Sequence, residues 1–426
     1  MVGDNVTSSS RGFGVASVSE FFEKYGLGFV MVASYFGSGS VFIASSAGVQ
    51  FGYALIWAVG GAVLLGFMAQ DMSARLGIFG EPLMVFVRRK LGRGPATGIA
   101  VLLSVGCVAW CLELTAAVGK GIEVLIGGAV GWQPLALVTG AAAIVVGIVG
   151  YDWIEKLMTG MMIGLLVAYV LVAGISAPDI GGIVAGAVPS IPGPGALTLA
   201  AAILGTTALW PNFFLESILV RQKGWVDASA IPTMRRDLTV GYIVGGITTI
   251  AIIVATAAVL RPAGVTQLDT FITPGLVLAE ILGEWALVLF LVGALAAAFN
   301  SIVPIMWTPA YMIPQAMGMD VSADDKRFKL VYVALVAIGS LSPVVHAVFG
   351  LSVVDMIILF PAYNGVVGLP ITAALLFWAV NDRDTMGEHR NGRWLNAANV
   401  LLVVLSVYLA VSSAEGVFSA ILGGGF

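Results

Sequence analysis

The sequence predicts an all-α integral membrane protein built as two inverted five-helix repeats with an eleventh helix after them. Three observations predict it. Hydrophobic residues make up 59% of the 426, charged residues only 10%, and mean hydropathy is +1.00, too little charge to cover a water-facing surface. Eleven apolar runs reach or approach membrane-spanning length, at about 27–49, 53–77, 96–126, 134–150, 157–176, 196–220, 239–260, 285–312, 330–350, 353–380 and 394–412. Runs 1 and 6 are both interrupted near their middles, and five helices separate them, so the two broken helices run in opposite directions. That is the layout of inverted repeats with a site between discontinuous helices. The expected organisation is a polar segment 1–26, a first repeat 27–176, a connection 177–195, a second repeat 196–380, and a tail 381–426 carrying the eleventh helix.

The polar, mixed first two dozen residues do not read as a cleavable signal peptide. Lysine and arginine set the orientation. With a cytoplasmic N-terminus, Arg88, Arg89, Lys90, Arg93, Lys156, Arg221, Lys223, Arg235, Arg236, Lys326, Arg327, Lys329, Arg383, Arg390 and Arg393 all fall inside, and the C-terminus lies outside. The outer connection 177–195 carries prolines and glycines. Residues 262–284 suit a short surface helix with Leu276, Leu278, Ile281 and Leu282 on one face. Gly160/Gly164 and Gly241/Gly245 are small residues four apart, the spacing of close helix packing. Cys107 and Cys111 sit in one apolar run as packing residues, which excludes a disulfide scaffold. The thin net charge of −4 and the lack of a basic patch point away from nucleic acid.

The first interruption is Gly37-Ser38-Gly39-Ser40. Glycine loses the most conformational freedom in a helix, and serine competes for backbone hydrogen bonds. Freed backbone groups in hydrocarbon are tolerated where they are covered by protein or line a cavity. This stretch is expected to unwind and hold a small substrate; close helix contact through small residues is the alternative. The second is Thr206-Thr207-Ala208-Leu209-Trp210-Pro211-Asn212, where Pro211 removes a donor and clashes with the preceding turn.

Ionisable residues inside spans are functional candidates by default. Glu113, near the middle of span 3, and Glu216, one and a half turns past the second break, are the proton-coupling candidates. Glu216 has two further readings, as a countercharge for a cationic substrate group or as a carboxylate solvated in the inward vestibule. Lys120 and Glu123 read as a local ion pair, Asp71 as structural, and Asp355 as a helix N-terminal residue. Asn300 and Ser301 in span 8, and Tyr363 and Asn364 in span 10, are the other polar groups at suitable depth; Asn300 and Ser301 are a candidate sodium site.

Several segments resemble the Nramp family of proton-coupled divalent-metal transporters. They are Ala47-Gly48-Val49-Gln50-Phe51-Gly52-Tyr53, Ser73-Ala74-Arg75-Leu76-Gly77-Ile78, Leu295-Ala296-Ala297-Ala298, Leu369-Pro370 and Met386-Gly387-Glu388-His389-Arg390-Asn391. The resemblance covers most of spans 1 to 10 and implies the inverted-repeat fold shared with amino-acid transporters, the LeuT fold. The departures fall on the metal site. Gly37-Ser38-Gly39-Ser40 stands where the family has Asp-Pro-Gly-Asn, and Leu209 where it has a metal-binding methionine. Pro211 and Glu216 stand at its two histidines, Glu113 at an aspartate, and Ala116 at a glutamate implicated in proton movement. The run Gly37-Ser38-Gly39-Ser40-Val41-Phe42 is instead similar to the first-helix signature of amino acid–polyamine–organocation transporters. In those proteins unwound amides meet a substrate carboxylate.

A divalent cation at mid-membrane needs carboxylate compensation or many oxygens, and the two interruptions offer neutral groups. The expectation is a secondary-active transporter of a cytoplasmic membrane, with a small organic solute such as an amino acid as substrate. The substrate-contacting residues would be Gly37, Ser38, Gly39, Ser40, Thr207, Ala208, Leu209, Trp210, Asn212, Asn300, Tyr363 and Asn364. The expected partners are that solute and the lipid bilayer. No cofactor is expected beyond a coupling H⁺ or Na⁺. The rival is a carrier of Mg²⁺ or Mn²⁺, and a sensor that binds without transporting is a third class. No nucleophile–base pair or phosphate-cradling loop suggests an enzyme.

Overall fold

A computed structural model describes residues 26–149, 151–193, 195–268 and 270–423. The expected segment 1–26 therefore lies almost wholly outside the described residues. In order, the helices are α1 (Gly26–Tyr35), α2 (Ser38–Phe51), α3 (Ile56–Phe79), α4 (Leu83–Leu91), α5 (Arg93–Leu125), α6 (Trp132–Ile148), α7 (Tyr151–Ile175), α8 (Ile180–Gly186), α9 (Ala196–Thr207) and α10 (Trp210–Gln222). They continue with α11 (Ile231–Val259), α12 (Thr273–Leu282), α13 (Glu284–Met317), α14 (Lys326–Gly339), α15 (Ser342–Phe349), α16 (Val353–Tyr363), α17 (Leu369–Asn381), α18 (Arg383–Met386) and α19 (Arg393–Gly423). Each of the eleven apolar runs is helical. Runs 1 and 6 are split as expected, into α1/α2 and α9/α10.

Span 1 bends by 67° between α1 and α2. Gly37 is extended there, with φ −105° and ψ −170°. The second break is the pair Ala208 (φ −88°, ψ 63°) and Leu209 (φ −70°, ψ 117°), and Pro211 falls in the first turn of α10. Proline's missing donor costs nothing in a first helical turn, so the residue that would kink a continuous helix starts a new one.

Packing around the breaks is close because glycines face backbone. A Cβ on Gly241 would stand 2.5 Å from the Gly28 carbonyl oxygen, and one on Gly245 2.0 Å from the Tyr35 hydroxyl. The Gly241/Gly245 pair thus lets α11 lie directly on α1, as expected of that spacing. Gly160 and Gly164 differ: nothing lies within 4 Å of a Cβ built on either. They share the spacing but fall on a face of α7 that no other described element approaches.

Three helices appear where loops were expected: α4, α8 and the single turn α18. Helix α4 buries Leu83, Met84, Phe86 and Val87 and ends in Arg88, Arg89 and Lys90, an amphipathic i, i+3, i+4 pattern too short to read as a span. Helix α8 lies in the 177–195 connection. In α12, Leu278 is buried while Leu276 is 46% exposed, so the anticipated face is narrower; the side chain of Ile281 lies outside the described residues. Several expected local roles hold. Asp355 completes a capping box with Ser352, Lys120 pairs with Glu123 at 2.8 Å, and Asp71 pairs with Arg235 at 2.6 Å.

The basic loops gather at one end of the bundle. Lys90 meets Asp382 at 2.7 Å, Arg221 donates to the Gly77 carbonyl at 2.9 Å, and Lys223 meets Glu155 at 2.5 Å. In chain order these loops join the helix ends opposite those joined by the segments carrying α8 and α12.

Candidate functional site

The two breaks face a common cavity of about 240 Å³. Its wall includes Gly37, Gly39 and Ser40 from the first break, Gly205, Thr206, Leu209 and Trp210 from the second, Glu113 from α5, and Asn364 from the tenth span. A Cβ on Gly37 would stand 3.1 Å from Ser301 Oγ and 3.2 Å from a Leu114 methyl, so those side chains would have to yield by a few tenths of an ångström to admit one.

Unwinding span 1 frees two sets of backbone groups, and the sequence treats them differently. Three carbonyls near the end of α1 accept from side chains. Asn212 Nδ2 donates to the Met31 carbonyl at 2.8 Å, Ser301 Oγ to Ala33 at 2.8 Å, and Ser40 Oγ to Tyr35 at 2.6 Å. The first amides of α2, those of Ser38, Gly39 and Ser40, have no intrahelical acceptor by helix geometry, Gly37 has no side chain to cap them, and no side-chain acceptor for them is seen among the described residues. The pole left open is therefore the positive one.

Glu113 is the one charged residue on the cavity wall among the described residues. It is 1% exposed, and Ser38 Oγ donates to its Oε1. Around it the wall is apolar: Trp110, Leu114, Leu209, Trp210, Ile357 and Leu369. Trp110 and Trp210 stack with centroids 6.1 Å apart and planes at 27°. Trp210 Nε1 donates to Asn364 Oδ1 at 3.1 Å, and Asn364 Nδ2 donates to the carbonyls of Gly106 and Phe360, each at 3.0 Å. Asn364 thus spends its hydrogen bonds bracing the wall.

The structure brings Gly37, Gly39, Ser40, Leu209, Trp210, Asn364 and Glu113 to one cavity, with Ser38 bound to Glu113. Other anticipated substrate contacts lie off it. Thr207 and Ala208 are buried at the second break, where Gly205 and Thr206 form the wall instead. Asn212 turns to α1. Asn300 is buried away from the cavity with both polar side-chain atoms unpaired. Tyr363 points out toward the Leu102 carbonyl at 3.4 Å. Glu216 is fully buried deeper in the bundle with both oxygens unpaired, so the expectation that it is solvated in a vestibule does not hold. Ser301, half of the candidate sodium pair, donates to Ala33 and to Ala297 at 3.2 Å.

Sequence reasoning missed Trp110, Ser34, Tyr35 and Leu409 on the wall. Trp110 was available, since it stands three residues before Glu113 on the same helical face. Leu409 was not, because helix α19 follows both repeats.

A family model described as "Natural resistance-associated macrophage protein-like" matches residues 28–414. The chain belongs to the Nramp family. It is 24% identical over 404 residues to the divalent metal cation transporter MntH of Pectobacterium carotovorum, covering 92% of this chain and 95% of that one. A mutant of the Eremococcus coleocola manganese transporter superposes with a TM-score of 0.82 at 18% identity, over 98% of this chain and 92% of the other. MhsT in complex with L-phenylalanine superposes with a TM-score of 0.63 at 16% identity, over 92% and 98%. This Nramp-family chain is a multi-pass membrane transporter with the LeuT fold. Among its described residues no three His, Cys, Asp or Glu side chains group as a metal site.

Proposed function

We propose that this Nramp-family transporter carries a small zwitterionic organic solute, an amino acid or a close analogue, by alternating access. The observation that carries the reading is the asymmetry at the first break: three of its carbonyls accept from Asn212, Ser301 and Ser40, while the first amides of α2 are left for a ligand. A carboxylate suits uncapped amides at a helix N-terminus. A metal ion needs oxygens, and at the first break the Met31, Ala33 and Tyr35 carbonyls are already engaged. In this reading the substrate's ammonium group meets Glu113, and its apolar part lies against Trp110, Trp210 and Leu209. Glu113, released by Ser38, is also the group that would exchange a coupling proton. One carboxylate balances one ammonium group, whereas a divalent ion keeps a net charge in a low-dielectric wall.

A second reading is favoured by the relatives, which are named for divalent metal cations and manganese. Under it a partly hydrated Mg²⁺ or Mn²⁺ rests on Glu113 and carbonyls of the second break. Thermal shift of the detergent-solubilised chain against amino acids, MgCl₂ and MnCl₂, followed by counterflow of each hit in liposomes, separates the two. A ligand at a hundred times its Kd stabilises by about 2.7 kcal/mol. Stabilisation and counterflow by amino acids support the proposal; saturable Mn²⁺ or Mg²⁺ flux without an amino-acid response replaces it.

A further inference from the structure

Below the cavity, toward the basic end, lies a second set of buried polar groups that the substrate site does not use. Asp237 on α11 is fully buried. Its Oδ2 accepts the Gly28 N–H of α1 at 2.7 Å, while its Oδ1 has no partner among the described residues. Glu216 on α10 is also fully buried, with neither oxygen paired, and Asp237 and Asp71 act on it electrostatically. Beside them the Gln70 side chain faces the Tyr242 hydroxyl. Tyr242 lies in the field of Glu216. Tyr35, a cavity-wall residue, stacks on Tyr242 with centroids 5.5 Å apart and planes at 29°. Unpaired groups at such depth mark an unfilled role, since an orphaned polar atom there costs about 1–3 kcal/mol.

We propose that Glu216 and Asp237 form an inner proton-binding site whose occupancy controls release of α1. The ligand is a proton, arriving from the cavity past Tyr35, Tyr242 and Gln70. A proton taken up there bonds to the unpaired Asp237 Oδ1 and neutralises that carboxylate, with Glu216 in its field. Neutral Asp237 then loses its charge-assisted hold on the Gly28 amide.

The neighbouring charges are engaged elsewhere. On α3, Asp71 is bound by Arg235 of α11, with Arg75 in the same field. On α7, Glu155 is bound by Lys223 after α10, and both act on Asp237. Glu155 also fronts Gly26, where a Cβ would overlap its carboxylate. Two carboxylates therefore face α1, Glu155 at Gly26 and Asp237 at Gly28, and Asp237 is the one without a cation bonded to it among the described residues. This inference rests on the fold and not on the identity of the substrate.

The test uses the full chain in liposomes with Cys107 and Cys111 replaced by alanine and a single cysteine at the buried Leu27 (L27C). A methanethiosulfonate reagent measures its exposure between pH 5 and 8, each rate normalised to the unfolded chain at the same pH. The expected result is modification that quickens on acidification. D237N should be about tenfold faster than the parent at pH 8 and insensitive to pH. D237E should restore the parent profile, and E216Q should move the midpoint to lower pH, because a like charge beside Asp237 is gone. A flat parent profile, an unchanged profile in D237N, or a response abolished by E155Q and not by D237N overturns the proposal. If D237N does not fold, the parent and E216Q profiles decide it.

Discussion

Replacing Gly241 by alanine tests the contact on which the arrangement of α1 against α11 depends. The added Cβ would stand 2.5 Å from the Gly28 carbonyl oxygen and 2.7 Å from its carbon. Comfortable contact between carbon atoms is about 3.5–4.0 Å, so the helices must separate by roughly an ångström. Both offending atoms are backbone, so no rotamer change relieves them. Overpacking of this kind costs about 1–3 kcal/mol. Gly160→Ala is the matched control: it shares the four-residue spacing, but nothing lies within 4 Å of its Cβ. There alanine gains up to about 1 kcal/mol of helix propensity. In apparent thermal unfolding of the detergent-solubilised protein, G241A should melt several degrees below the parent and G160A at or above it. Equal behaviour of the two variants would refute the reasoning, because the contact that Gly241 makes and Gly160 lacks would then carry no weight.

Glu113→Gln should weaken whichever ligand the thermal-shift screen finds by about ten- to a hundredfold, the loss of one charge-assisted hydrogen bond of about 1.5–3 kcal/mol; titration calorimetry reads it directly. Ser352→Ala removes the capping-box hydroxyl at the start of α16 and should cost about 1 kcal/mol in the same unfolding assay. At the basic end, partial burial works against the charge of Asp382, but Lys90 and Thr385 outweigh it and hold its carboxyl below the usual range. A depressed carboxyl stabilises above its ordinary value and loses that contribution as pH falls through its folded value. Lys90→Met should therefore make the segment from α17 to α19 protease-sensitive at a higher pH than in the parent, measured by limited proteolysis across an acid series.

The spans and both breaks were legible because their signals are local. Apolar runs of about twenty residues, Gly37-Ser38-Gly39-Ser40 and Pro211 each act within one or two turns. Glu113 was legible as an isolated carboxylate in an apolar run. Directions were not. Asn212 and Asn300 stand at plausible depths, yet which way a helical side chain faces depends on crossing angles that a single sequence does not encode. Thus Asn212 turned to cap Met31, and Tyr363 turned outward. Gly160/Gly164 failed for the related reason that spacing permits close packing without supplying a partner.

Between α16 and α17, residues Asn364–Gly368 form one π-helical turn. Such a turn holds one residue more than a regular α-helix has room for. Shortening it by one residue would wind everything beyond it by about 100°, sweeping Leu369 off the cavity wall. Gly368 already lies so close to Trp210 that a Cβ would come within 2.1 Å of its Nε1, which leaves the wider turn little freedom to tighten where it stands. The tenth span is thus one residue out of step with itself, and the cavity wall inherits its shape from that surplus.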